Sequence, residues 1–257
     1  MSYIPTTLLP VDSSPGTSFI SNGSIGVWGN SQKYLFLVDD FCTSAAASNL
    51  GWGNAVANSG AVSVNVGSGF TDLSTHPGQI LLSTGAVSAS GAALIRLAAS
   101  GNDRGPFTAG SGAITAVWDI YVSTLSDGTD TYTLYAGLTS GADFVEPNDG
   151  YYFIYSHGVN SGNWQVKTAA GGSRTTGNST TAVTANTWYR LKIIVNAANT
   201  SVSFYVNDVL LTNGTLTATM PTQRFGAAVD IVKSVGTAAR TTSVDLFTFY
   251  QELTTTR

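Results

Sequence analysis

The chain has 257 residues, only 10% of them charged, and a net charge of −4 from 11 basic and 15 acidic side chains. Glycine, alanine, serine and threonine number 28, 28, 29 and 34, so four small types make up 119 of the 257 positions, while there are four lysines and two glutamates. That mixture starves a helix of its best formers, lacks the basic surface a nucleic-acid binder needs, and leaves the Thr, Val, Tyr, Phe and Trp that suit a pleated, half-buried surface.

The first 26 residues read as an extended arm. Pro5, Pro10 and Pro15 alternate with Ser, Thr and Gly, which excludes a helix or a central strand. The start has no basic segment followed by an apolar core, so no signal peptide is expected. No apolar run reaches 18 residues, and no membrane insertion is expected. The single cysteine, Cys42, cannot form an intrachain disulfide and reads as a small buried hydrophobe. Sequons beginning at Asn22, Asn178, Asn199 and Asn213 are chance products of a chain full of Ser and Thr.

From Val27 onward, short apolar runs alternate with turn residues. Strands are expected near 33–38, 61–66, 79–82, 92–98, 113–122, 131–138, 150–157, 163–168, 188–196, 201–206, 209–212, 225–233 and 243–251. Ala45–Ser48 could make one helical turn. Leu191, Ile193 and Val195 share one face of a strand, and Val202, Phe204 and Val206 share one face of the next. The pair Asn207-Asp208 between Val206 and Val209 suits a two-residue hairpin turn, so 188–212 reads as a three-stranded meander. A second hairpin is expected around Ser126-Asp127-Gly128, with arms at 114–121 and 131–135. Neither a fixed repeat nor an internal Pro-rich linker interrupts the pattern. The expected organisation is an arm over 1–26, one all-β sandwich domain over 27–251 and a polar tail over 252–257.

Several of these strands carry family-like motifs. Gly150-Tyr-Tyr-Phe-Ile-Tyr155, Asn163-Trp-Gln-Val-Lys167, Thr187-Trp-Tyr-Arg-Leu-Lys-Ile193, Val202-Ser-Phe-Tyr-Val-Asn-Asp208 and Ser243-Val-Asp-Leu-Phe247 together resemble the concanavalin A-like, laminin-G-like jelly-roll superfamily. The resemblance spans about residues 39–251. It implies a two-sheet antiparallel jelly roll in which the strand near Asp39-Asp40-Phe41 lies beside the last strand. The whole chain also looks like a tailed-bacteriophage virion protein, a class that joins such an arm to a jelly-roll body and is made in the host cytoplasm without a secretion signal.

Chemistry is thinly represented. The superfamily includes retaining glucanases, whose sites need paired carboxylates about 5–5.5 Å apart. Their Glu-x-Asp-x-x-Glu pattern is missing, and only Glu146 and Glu252 are available. His76 before Pro77-Gly78 reads as a surface loop residue, and two isolated histidines make no zinc site. No nucleophile elbow or phosphate loop occurs. The loop Asp143, Glu146, Asn148 and Asp149 supplies hard oxygens of the kind a calcium loop uses, though a solvated turn needs nothing more. Otherwise no cofactor is expected.

Binding has better material. Tyr151, Tyr152, Tyr155, His157, Asn163 and Trp164 crowd two neighbouring strands. Alternation puts Tyr151, Phe153 and Tyr155 on one side and Tyr152 and Ile154 on the other. One set must be core, and the other could stack on a sugar ring while Asn163 or Asp149 bonds its hydroxyls. Tyr152, Tyr155, His157, Asn163 and Trp164 are therefore the candidate ligand residues. The first expectation is a non-enzymatic virion structural protein, on a phage head or tail, contacting other virion proteins and copies of itself as a dimer or trimer. The alternative is a carbohydrate-binding module for host-surface glycans. A glycoside hydrolase comes third.

Overall fold

In a computed structural model, the described residues are 19–21, 24–26, 33–41, 52–64, 72–86, 90–97 and 105–255. Residues 1–18, 22 and 23 of the arm expected over 1–26, together with Cys42 and the turn at 45–48, lie outside them. The strands in chain order are β1 (Phe19–Ser21), β2 (Ser24–Gly26), β3 (Tyr34–Asp39), β4 (Gly53–Ala57), β5 (Ala61–Val64), β6 (Ile80–Ser83), β7 (Ala92–Arg96), β8 (Gly112–Val122) and β9 (Tyr132–Ser140). They continue with β10 (Asp149–Ser156), β11 (Asn163–Ala170), β12 (Ser173–Ala182), β13 (Thr187–Val195), β14 (Val202–Val206), β15 (Val209–Leu216), β16 (Gly226–Lys233) and β17 (Thr241–Leu253). One short 3-10 turn, Asn160–Gly162, joins β10 to β11. Among the described residues no helix is long and apolar enough to cross a membrane.

The strands form a two-sheet antiparallel jelly-roll sandwich. One sheet runs β12-β11-β10-β9-β16-β7-β4, and the other runs β15-β14-β13-β8-β17-β6-β5. β3 also pairs with β17, Asp39 opposite Phe247, so the strand ending at Asp39 does lie beside the last one. β1 and β2 pair only with each other.

The core is what alternation dictates. On β8, Ile114, Ala116, Trp118, Ile120 and Val122 point inward; on β13, Tyr189, Leu191, Ile193 and Val195 do the same. Rings bridge the layers: Phe153 of β10 meets Phe204 of β14 edge-on at 5.2 Å, and Trp164 of β11 meets Tyr189 of β13 at 5.4 Å. The 188–212 meander forms as expected. Asn207 and Asp208 take φ of 51° and 64°, both left-handed, as a primed two-residue turn requires.

The expected hairpin at Ser126-Asp127-Gly128 does not form. β8 pairs with β13 and β17, whereas β9 pairs with β10 and β16 in the other sheet. The 123–131 connection therefore arches between sheets. Asp127 holds the arch by accepting from the Thr129 and Asp130 backbone N–H groups at 2.8 Å each, a local turn that has the same sequence whether its arms pair or part.

Candidate functional site

The residues that matter fall in register across the seven-stranded sheet. Arg96 on β7 is opposite Ala228 on β16, which is opposite Gly137 on β9, then Tyr152 on β10, then Lys167 on β11. Two positions along, the row is Leu94, Asp230, Tyr135, Ile154 and Gln165. Because side chains alternate, both rows stand on the face that turns away from the core, while Ile95, Val229, Ala136, Phe153 and Val166 between them face inward. Ala228 and Gly137 leave the middle of the first row low. A Cβ on Gly137 would fall 2.2 Å from the Tyr151 backbone oxygen, so close approach of β10 keeps that position bare.

The β9–β10 connection, residues 141–148, folds back over these rows. Asp143 forms an ion pair with Arg96. Phe144, held at φ 60°, donates its backbone N–H to Asp230 Oδ2 at 3.2 Å. Glu146 accepts from Lys167 Nζ at 2.6 Å, lies 3.3 Å from Arg174 Nε and accepts from the Tyr152 hydroxyl at 3.2 Å. The result is a small cleft between the loop and the sheet, with Leu94, Arg96, Tyr135, Asp143, Ala228 and Asp230 in its lining.

Electrostatics single out Asp230. Burial pushes its carboxyl up to about 8, helped by the nearby Asp143 carboxylate and opposed by the Phe144 N–H and the Arg96 guanidinium. It is thus largely neutral at pH 7. The Tyr135 hydroxyl is pushed up to about 12, again mainly by burial.

The candidate ligand residues divide. Tyr155 and Trp164 are 2% and 0% exposed in the core between the sheets, so neither can stack on a ligand; the Tyr151–Phe153–Tyr155 set is the inward one. Tyr152 is on the cleft face with Ile154, but it is fully buried under the loop, with its hydroxyl tied to Glu146 and Arg174. His157 is exposed in the turn after β10, and Asn163 is half-buried where β11 begins. The oxygens of the calcium candidates Asp143, Glu146, Asn148 and Asp149 have partners of their own. Asp143 and Glu146 are spent on cations, Asp149 Oδ1 accepts from the Gly171 N–H, and the Asn148 carbonyl accepts from Gly172. Among the described residues no group of three or more His, Cys, Asp or Glu gathers to hold a metal.

Arg96, Tyr135 and Asp230 were not among the expected site residues. Arg96 and Asp230 did leave a trace: Arg96 ends the apolar strand Ala92-Ala-Leu-Ile-Arg96, and Asp230 interrupts the apolar run Gly226-Ala-Ala-Val-Asp-Ile-Val232 of β16. Such a charge is rarely buried without a purpose.

Solved structures with this architecture are distant in sequence. A protein of unknown function, SO2946 from Shewanella oneidensis MR-1, superposes with a TM-score of 0.58 at 14% identity, covering 88% of this chain and 90% of that one. The carbohydrate recognition domain of Emp47p gives 0.55 at 10% identity, covering 88% and 100%. An endo-1,3-beta-glucanase from Streptomyces sioyaensis gives 0.53 at 11% identity, covering 86% and 97%. At these identities the likeness is one of fold, which is the concanavalin A-like jelly roll that the strand motifs resembled. No curated protein matches the chain. A family model does: residues 75–245, well over half of the chain, match the C-terminal domain of the SO2946-like proteins, and the chain belongs to that family.

Proposed function

We propose that the chain binds carbohydrate in the cleft over the seven-stranded sheet, and binds it without hydrolysis. The observation that carries this reading is the Tyr135 ring, half-buried in the lining of an open cleft, beside the polar side chains of Arg96, Asp143 and Asp230. A flat apolar ring next to convergent donors and acceptors is what a pyranose offers its own faces and hydroxyls to. The fold adds support, because a carbohydrate recognition domain shares it. A virion role, expected from the style of the chain, gains no comparable support. Hydrolysis needs two carboxyl groups flanking the bond. Asp230 could be one, but Asp143 and Glu146 are both held in ion pairs.

The test is a glycan array read with the intact chain and with Tyr135→Ala. The expected result is a set of hits that the variant loses, with its melting temperature changed by only a few degrees, and bound glycans recovered at full length. Hits that survive in Tyr135→Ala would remove the cleft as the site. Shortened products would replace binding by hydrolysis.

A further inference from the structure

Two polar atoms on the floor of the cleft have no partner among the described residues. They are Arg96 Nε and Asp230 Oδ1. Their residues are 8% and 6% exposed, and both line the cleft. A buried polar group left unmade costs roughly 1–3 kcal/mol, and native structures hold few of them. Two such residues in the lining of one cleft are what a binding floor looks like before its ligand completes it.

The chemistry of the two atoms defines what completes them. An arginine Nε can only donate. Asp230 Oδ2 already accepts the Phe144 N–H, so in the neutral acid the proton sits on Oδ1, which then donates as well. Neutrality is the favoured state at pH 7, since burial holds this carboxyl near 8. The floor therefore presents two donors and asks for two acceptors. Charge does not oppose this: of the charged residues that line the cleft, Arg96 and Asp143 balance as an ion pair while Asp230 is protonated. We propose that this floor receives the carboxylate of an acidic sugar, a uronic acid residue, with one oxygen on Arg96 Nε–H and the other on the Asp230 carboxyl. The inference rests on the carbohydrate reading above and narrows it to acidic glycans.

The sign of the pH dependence follows. Asp230 is faced by Arg96 from β7, Tyr135 from β9, and Asp143 and the Phe144 N–H from the 141–148 loop. When pH rises through about 8, Asp230 ionises, loses its donor and repels a carboxylate. In Asp230→Asn the amide oxygen can still accept from Phe144 while Nδ2–H donates in place of Oδ1–H, and nothing titrates.

The experiment is calorimetric titration of the full chain with short oligomers of glucuronate, galacturonate, mannuronate and guluronate, each beside its methyl ester and its neutral counterpart. Melting is followed on the same samples, so unfolding is not mistaken for lost affinity. One acidic oligomer should bind, and esterification should weaken it about tenfold or more, the scale of a charge-assisted hydrogen bond. Between pH 7 and 9.5 the native chain should lose a further tenfold, whereas Asp230→Asn should stay flat. Equal affinity for acid and ester, or a flat profile in the native chain, would overturn the acidic-sugar inference and leave carbohydrate binding standing. No binding to any acidic, esterified or neutral oligomer would overturn both.

Discussion

His76 Nδ1 lies 2.7 Å from Asp245 Oδ2, joining two residues 169 positions apart. Asp245 occupies the irregularity in β17 where the register with β8 shifts between Val244 and Leu246. The imidazole also stacks on Trp188 of β13, ring centroids 3.8 Å apart. One side chain from the loop before β6 thus touches both β13 and β17. The Pro77-Gly78 turn marks His76 as a loop residue, but its side chain is only 21% exposed and that of Asp245 only 7%. Burial raises the Asp245 carboxyl to about 6, and His76 is the group that pulls it back. His76→Ala should therefore cost about 2–3 kcal/mol at pH 7, because it strands a buried carboxylate. The cost should shrink near pH 4, where Asp245 is protonated with or without its partner. Urea unfolding at the two pH values decides the point; equal losses at both would show that only stacking on Trp188 was removed.

Asp230 makes an opposite prediction for stability. Its folded-state carboxyl is held near 8 against an ordinary value of 3.8, so the native state binds more protons than the unfolded state between about pH 4 and 8. Its contribution is intact below pH 4 and is lost as pH rises toward 8. Asp230→Asn keeps an acceptor for the Phe144 N–H and removes the titration. The variant should be more stable than the native chain by several kcal/mol at pH 8, up to about 5 from a shift of this size, and close to it at pH 4. Chemical denaturation across that window is the measurement, and a difference that does not grow with pH would contradict the assignment.

Trp164 shows where sequence reasoning stops. Alternation separates Tyr151, Phe153 and Tyr155 from Tyr152 and Ile154 without ambiguity, yet both sets are aromatic or apolar, so periodicity alone could not say which faced the core. The structure buries Trp164 against Phe153, Tyr155 and Tyr189. Trp164→Ala should cost about 3–5 kcal/mol by opening a cavity in the core. Any effect on glycan binding should track the loss of folded protein. A variant of native stability that no longer bound glycan would restore Trp164 as a ligand residue.

The apolar strands were legible for a related reason: β8, β13 and β14 each carry a clean inward row, and burial of that row fixes their type and register. β12, Ser173-Arg-Thr-Thr-Gly-Asn-Ser-Thr-Thr-Ala182, was not legible. It has almost nothing apolar to bury, and it exists as an edge strand because β11 offers it a ladder. β4 at the other edge is equally plain in sequence. The cleft was hidden for the same cause in reverse. Arg96, Tyr135 and Asp230 lie 39 to 134 positions apart, and only the strand order β9-β16-β7 brings them together.

The arch between β8 and β9 offers the last test. Arg240 Nη2 donates to Asp127 Oδ2 at 2.9 Å and to Asp130 Oδ2 at 3.2 Å. Its side chain is only 12% exposed. It ties the loop that crosses between the sheets to the segment entering β17. Asp127 itself is held below the ordinary carboxylate range, first by the Asp130 and Thr129 N–H groups and then by Arg240. Because those backbone bonds dominate, Arg240→Ala should leave the turn formed but loosen its attachment. The expected loss is about 1–2 kcal/mol, since Asp127 is half in water and Asp130 keeps the Ala238 N–H as a donor at 2.8 Å. Amide exchange should quicken at 126–131 and near 238–241 while β13 and β14 stay protected. Exchange that rises evenly across both sheets would mean that Arg240 supports the whole sandwich rather than this one crossing.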